Sequence, residues 1–176
     1  MNPEVRARLL LSHVIEAGDP RLRTFLESSS PEKLWHKITR ADRVPEPWHL
    51  ASHTAETRAI LSLQRASGAG LRWITPGDAE WPPQLADLDG FDGINSVSGA
   101  PLGLWVAGAG DLNELTRESV AIVGARYCTT YGAEMGTEMA ADCADSGFTV
   151  ISGAAFGIDA CAHRGALALG HPTIAV

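Results

Sequence analysis

Ser119-Val120-Ala121-Ile122-Val123-Gly124-Ala125-Arg126 opens the stretch that decides the fold, and Thr173-Ile174-Ala175-Val176 closes it. Val120 to Val123 is a short apolar run with no polar face, the pattern of a parallel strand buried on both sides. Gly124-Ala125-Arg126 stands where such a strand must turn. Thr130 to Ser146 then has helical periodicity: Gly132, Gly136, Ala140 and Ala144 make one smooth face. Met135, Met139 and Cys143 flank that face, and Glu134, Glu138, Asp142 and Asp145 cover the rest. Gly147 ends this helix, Phe148 to Ile151 reads as the next strand, and Ser152-Gly153 as the next turn. Ile158 to Leu169 reads as a second helix, stopped by Gly170, and Thr173 to Val176 as a third strand. The alternation predicts a doubly wound α/β core with a parallel sheet and right-handed crossovers.

Working outward, hydrophobic residues make up 45% of the 176 and charged residues 20%, ordinary proportions for a globular protein. No apolar run approaches the roughly 18 residues needed to span a bilayer. Leu9-Leu10-Leu11 follows two arginines, but His13 and Glu16 interrupt it too early for a signal peptide. Cys128, Cys143 and Cys161 have no metal or disulfide spacing and read as small thiols in a reducing cytoplasm. Net charge is −7 and unevenly spread. Residues 1–66 hold ten Lys/Arg against eight Asp/Glu, residues 67–118 two against eight, and residues 119–176 two against five. Any anion site in the α/β part must therefore rest on a few placed groups.

Residues 1–68 read as a small all-helical domain. Val5 to Ala17 forms a first helix, and Asp19-Pro20 and Ser30-Pro31 each offer an N-cap with proline behind it. Pro45-Glu46-Pro47 reads as a breaker before a fourth helix from about Ser52 to Ala66. The composition suits packing or protein interaction better than a helix-hairpin-helix DNA module, because Ala17-Gly18-Asp19-Pro20 is a poor match to a glycine hairpin. Residues 69–176 then begin with a strand at Leu71–Thr75 and a short helix at Trp81–Leu88. The Gly-, Ser- and Asn-rich Gly90–Pro101, with Asp92, reads as a mobile surface loop. A strand at Leu104–Ala107 and a helical turn at Asp111–Leu115 lead into the core.

Several chemistries are disfavoured. Gly108-Ala109-Gly110 lacks a third glycine, the Gly124–Gly132 turn is not GxGxxG, and no acid ends the Phe148–Ile151 strand to hold a ribose. No lysine follows a glycine loop in the manner of a nucleoside-triphosphate site. No cofactor and no metal are expected. What remains is a pair of turns at the carboxyl edge of the sheet, where helix N-termini offer N–H groups suited to phosphate. Arg126 sits in the first turn with a bidentate fork. In the second, Ser152 could cap a helix or donate to a phosphate oxygen. Asp159 and His163, four apart, share a helix face with each other, but an acid and a base within one helical turn rarely reach a common nucleophile.

These residues carry a resemblance. Val120 to Arg126, Tyr131-Gly132, Ser152-Gly153 through Gly157-Ile158-Asp159, Ala162-His163, Ala166-Leu167, Gly170 and Thr173 to Val176 resemble the DprA/Smf family of DNA-processing proteins. Trp81-Pro82 with Leu85 is similar to that family's Tyr-Pro-x-x-Leu, and Pro101 to Gly108 to its lead-in strand. The helical segment resembles the sterile-alpha-motif-like domain that many members carry. The resemblance implies a Rossmann-like domain at 69–176, incomplete at its C-terminal end. It implies a non-enzymatic, cytoplasmic protein of natural transformation and competence, which binds and protects single-stranded DNA, helps load the RecA recombinase and works as a homodimer. It places phosphate contacts on Arg126, Ser152 and Gly153, and pocket-shaping roles on Gly124, Gly157, Asp159 and His163.

Three departures qualify the match. The family's Gly-Ser-Arg is Gly124-Ala125-Arg126, which removes a hydroxyl donor. Phe156 replaces a residue that is basic in many members, and could stack on a base instead. The chain also stops in its third core strand, so further strands and a dimer surface are expected beyond it. The fragment alone is then expected to be monomeric or loosely associated, to bind DNA poorly, and to be digested in residues 119–176 before its helical part. Two rival readings are a Rossmann-like nucleotide hydrolase, which needs a glycine loop with a catalytic glutamate, and a protein-interaction fragment.

Overall fold

The computed structural model describes residues 1–90, 93 and 97–176. Phe91, Asp92, Ile94, Asn95 and Ser96 fall outside the described residues, and the loop expected at Gly90–Pro101 falls partly there. The chain forms two compact units, Met1–Ala109 and Gly110–Val176.

The first unit opens with α1 (Pro3–Ser12), α2 (Pro20–Ser28), α3 (Pro31–Thr39) and α4 (Glu46–Gly68). Asn2, Asp19 and Ser30 each cap a helix by accepting a backbone N–H from Glu4, Arg21 and Lys33. α1 ends five residues before the expected Ala17, in a turn that holds Val14 and Ile15 by backbone bonds to Leu11. Pro45-Glu46-Pro47 starts α4 rather than breaking the chain. Pro45 is the cap and Pro47 lies in the first turn, where a missing N–H costs nothing. Leu9, Leu11, Leu34 and Ile38 are fully buried between the helices, beside Trp48 and Ala55.

The hairpin of β1 (Leu71–Ile74) and β2 (Leu104–Ala107) is antiparallel, with Trp73 opposite Trp105 and their rings 5.0 Å apart. A 3-10 helix at Pro83–Gly90 stands where a short helix was expected at Trp81–Leu88. Trp73, Trp105 and Leu102 pack against the helical core, so this unit runs past residue 68 to residue 109. The end of a long helix marks where helical periodicity stops, not where the apolar core stops.

The second unit holds α5 (Leu112–Arg117), β3 (Ser119–Ala121), α6 (Thr130–Asp145), β4 (Thr149–Ser152), α7 (Ile158–Ala168) and β5 (Thr173–Ala175). The strands are parallel in the order β3-β4-β5, Val120 pairing with Val150 and Ile151 with Ile174. α6 and α7 pack closely on each other and both lie on β4, hence on one face of the sheet. Strand order does not reverse among the described strands. Ala121 is exposed and Val123 is 71% exposed, so the run Val120–Val123 is covered on one face within this unit rather than on both.

Small residues set the α6–α7 spacing. Ala140, Ala144, Ala162 and Ala166 are buried at the seam with Val150 beneath them. At Gly165 a Cβ would lie 2.2 Å from the Thr137 carbonyl oxygen, so the helices approach backbone to backbone there. Gly136 faces Ile158 and Cys161, as the expected smooth face requires.

Candidate functional site

The turn after β3 runs through Gly124 to the cap of α6, where the Thr129 hydroxyl accepts the Gly132 N–H at 3.1 Å. The turn after β4 runs from Gly153 to α7. The two meet at the carboxyl edge of the sheet. Gly157 has φ +81°, and a Cβ there would stand 2.1 Å from the Ala125 oxygen and 2.5 Å from the Arg126 oxygen. Only glycine permits that approach of backbone to backbone. Ile158 closes the contact from the other direction, its N–H donating to the Ala125 carbonyl at 3.1 Å. Its side chain fills the space where Gly124 has no Cβ, 2.7 Å from the nearest possible position.

Asp159 pins the two turns together. It is 7% exposed and accepts the Gly124 N–H at 3.3 Å on one oxygen and the Ala155 N–H at 3.4 Å on the other. One carboxylate thus receives a donor from each turn, at the long end of the hydrogen-bond range. Gly153 passes so close that a Cβ would be 2.9 Å from the second carboxylate oxygen. Ala154 next to it has φ +54°, a left-handed conformation that costs a residue with a side chain about 1–3 kcal/mol.

The predicted residues fare differently. Arg126 is exposed and enters no hydrogen bond or ion pair with another described residue. Ser152 is 2% exposed, and its hydroxyl donates to the Ile122 carbonyl at 2.6 Å. Its proton is committed inside the fold, where it braces β4 to the end of β3. The backbone of Gly153, by contrast, is at the surface. His163 lies at the seam between α7 and β5. The Thr173 hydroxyl donates to the Val150 carbonyl at 2.7 Å, so its oxygen accepts from the His163 Nδ1–H at 2.8 Å. That fixes the tautomer and leaves Nε2 buried with no partner among the described residues. Ser152, Asp159 and His163 each bond elsewhere and form no relay.

Two exposed rings adjoin Arg126 and Gly157: Tyr127 is 99% exposed and Phe156 87%. Tyr127 did not stand out in the sequence, since an aromatic in a turn carries no periodic signal. Acidic side chains of α6 (Glu134, Glu138, Asp142 and Asp145) all face solvent. With Asp159 also at the start of α7, attraction for an anion rests on Arg126 more than on the helix dipole. A cavity of about 440 Å³ in the first unit is lined by Leu22, Trp81 and Leu102, and both of its lining arginines are already paired. Arg8 is paired there with Glu4, and Arg23 with Glu27. Among the described residues no group of three or more His, Cys, Asp or Glu is placed to hold a metal, and no helix is long and apolar enough to cross a membrane.

Parallel strands joined by helices, with two clasped turns at their carboxyl ends, define a Rossmann-like α/β unit accompanied by a helical one. The chain belongs to the family described as DNA recombination-mediator protein A, which matches residues 72–176. A putative DNA processing protein DprA from Mycobacterium tuberculosis (strain H37Rv) is 33% identical over 184 aligned residues, covering 100% of this chain and 46% of that protein. Protein Smf of Escherichia coli (strain K12) is 34% identical over 130 residues, covering 69% of this chain and 32% of its own. The crystal structure of DNA processing protein A from Streptococcus pneumoniae shares the fold, with a TM-score of 0.65 at 22% identity, covering 100% of this chain and 57% of that one. The chain thus spans less than half the length of these two sequence relatives.

Proposed function

We propose that the protein, at its relatives' full length, binds single-stranded DNA through these clasped turns and serves DNA processing in recombination. The observation that carries this is Arg126. It is a solvent-facing guanidinium with no partner among the described residues, held by a backbone clasp at the sheet edge where open α/β sheets bind ligands. Guanidinium grips phosphate bidentately, and exposed N–H groups of the adjoining turns can share the load. Family membership supports DNA as the source of the phosphate.

The reading is of a binding protein and not an enzyme. Within residues 122–132 and 152–159 the only carboxylate is Asp159, buried and occupied with two backbone N–H groups. No free acid is there to move a proton. The resemblance extends the proposal to protection of incoming DNA in natural transformation, loading of the RecA recombinase, a cytoplasmic setting, and a homodimer at the relatives' full length.

Anisotropy titration of labelled single- and double-stranded oligonucleotides at low and rising salt tests it. The single strand should bind tighter, with little base-sequence preference, and log affinity should fall with log salt at about −0.7 per phosphate contacted. Salt-independent binding, or tighter binding to duplex, would refute the proposal.

A further inference from the structure

Tyr127 and Phe156 stand outside the economy of the fold. At 99% and 87% exposure they bury almost nothing, so neither contributes the apolar burial that normally keeps a large ring in a sequence. Each also adjoins the clasp. Tyr127 follows Arg126, Phe156 precedes Gly157, and a Cβ on Gly157 would lie 2.5 Å from the Arg126 oxygen. With consecutive Cα atoms 3.8 Å apart, the Cα atoms of the two rings can be no more than roughly 11 Å from each other. The turns bearing them are held by the Asp159 carboxylate and the Ile158–Ala125 bond, so the rings start from a fixed base.

Two unpacked rings on the turns that carry a guanidinium unpaired among the described residues suit an unpaired nucleic-acid strand. Its phosphate is a ligand for the guanidinium, and its base faces, free on a single strand and covered in a duplex, are ligands for the rings. We propose, on the basis of the single-stranded DNA reading above, that Tyr127 and Phe156 are nucleobase-stacking residues flanking the Arg126 phosphate contact. The site then recognises a base-bearing unpaired strand rather than bare sugar-phosphate backbone. Stacking asks only for a π-face, so this recognition is indifferent to sequence.

The test uses the protein at its relatives' full length and two labelled oligomers of equal length and charge, an oligodeoxythymidylate and its abasic counterpart, titrated at low salt. The abasic strand, which loses both stacks, should bind at least about 25-fold more weakly. Tyr127→Ala and Phe156→Ala should each weaken the base-bearing strand about 5- to 100-fold while leaving the abasic affinity and the salt slope unchanged. Tyr127→Phe should restore binding, since the stack needs the ring and not the hydroxyl. Both positions are exposed, so circular dichroism should show intact folding. Equal affinity for the two strands overturns stacking and leaves phosphate binding standing. Alanine variants that weaken both strands alike also overturn it, assigning the rings to shape or to a protein partner. Failure to bind either strand overturns the DNA reading and the stacking with it.

Discussion

Gly157→Ala tests the clasp on which the site depends. The new methyl group would sit 2.1 Å from the Ala125 oxygen, against a floor near 3.0 Å for real contacts, and the residue would also hold φ +81°. The first turn would have to retreat by about 1 Å, breaking the 3.1 Å bond from Ile158 N–H to Ala125. Left-handed backbone costs alanine about 1–2 kcal/mol, overpacking about 1–3 kcal/mol and the lost hydrogen bond about 0.5–1.5 kcal/mol. Reduced freedom of the unfolded chain returns about 0.4–1 kcal/mol. The net loss should be about 1.5–6 kcal/mol, centred near 4, a large part of the roughly 3–10 kcal/mol that a unit of this size carries. Gly170→Ala is the matched control: φ is +78°, but nothing lies within 4 Å, so the expected loss is about 1 kcal/mol. Hydrogen exchange at the amides of β4 and α7, with denaturant titration of both variants, gives the two values. If Gly157→Ala costs no more than Gly170→Ala, the backbone contact does not hold the turns.

Two other outcomes follow from contacts already described. Arg126→Ala should weaken single-strand binding by about 1.5–3 kcal/mol, whereas Arg164→Ala should change it little, because Arg164 spends its guanidinium on the Ala160 carbonyl and the Cys161 sulfur. Equal small losses in an oligonucleotide titration would make Arg126 structural. Burial, and secondarily the Arg58 charge, hold the His13 imidazole below its ordinary value of 6.5. Folding therefore favours the neutral ring, so its stabilising contribution is complete above that value and is lost as pH falls below it. Denaturation followed by tryptophan fluorescence should show the first unit weakening as pH falls below about 6.5. His13→Gln should flatten that dependence, and an unchanged slope would refute the assignment. All five tryptophans lie within residues 1–109, so the signal reports that unit.

How legible the chain was depended on whether a feature is local. The caps at Asp19 and Ser30, and the Gly132–Ala144 face of α6, could be read because each is written in a spacing of one helical turn. Val120–Val123 read as a strand covered on both faces, because an apolar run does not say how many faces neighbours supply; Val123 ends up 71% exposed. Ser152 read as an available donor because Ser-Gly is turn chemistry. β4 continues through it, two residues after the fully buried Val150 and so on the same side, and the hydroxyl turns inward. Asp159 read as a helix-start acid. Its second task, holding Gly124 from 35 positions earlier in the chain, became visible only in three dimensions. Gly165 was missed for the same reason: a glycine inside a helix looks like a weakness until the neighbouring helix is seen against it.

The clasp also bears on how such a site can diversify. Gly124, Gly153 and Gly157 leave no space for side chains, and Asp159 is occupied from both sides. Substitution at these four positions puts the frame at risk, so they cannot be where novelty accumulates. Ala125, Tyr127 and Phe156 lie between them in sequence, and the two rings project from the same frame with almost no packing duties. A lineage could exchange a ring for a cation, or a methyl for a hydroxyl, and retune its grip on a strand while inheriting the fold unchanged. In this arrangement the invariant part is backbone and the negotiable part is side chain, separated by a single residue.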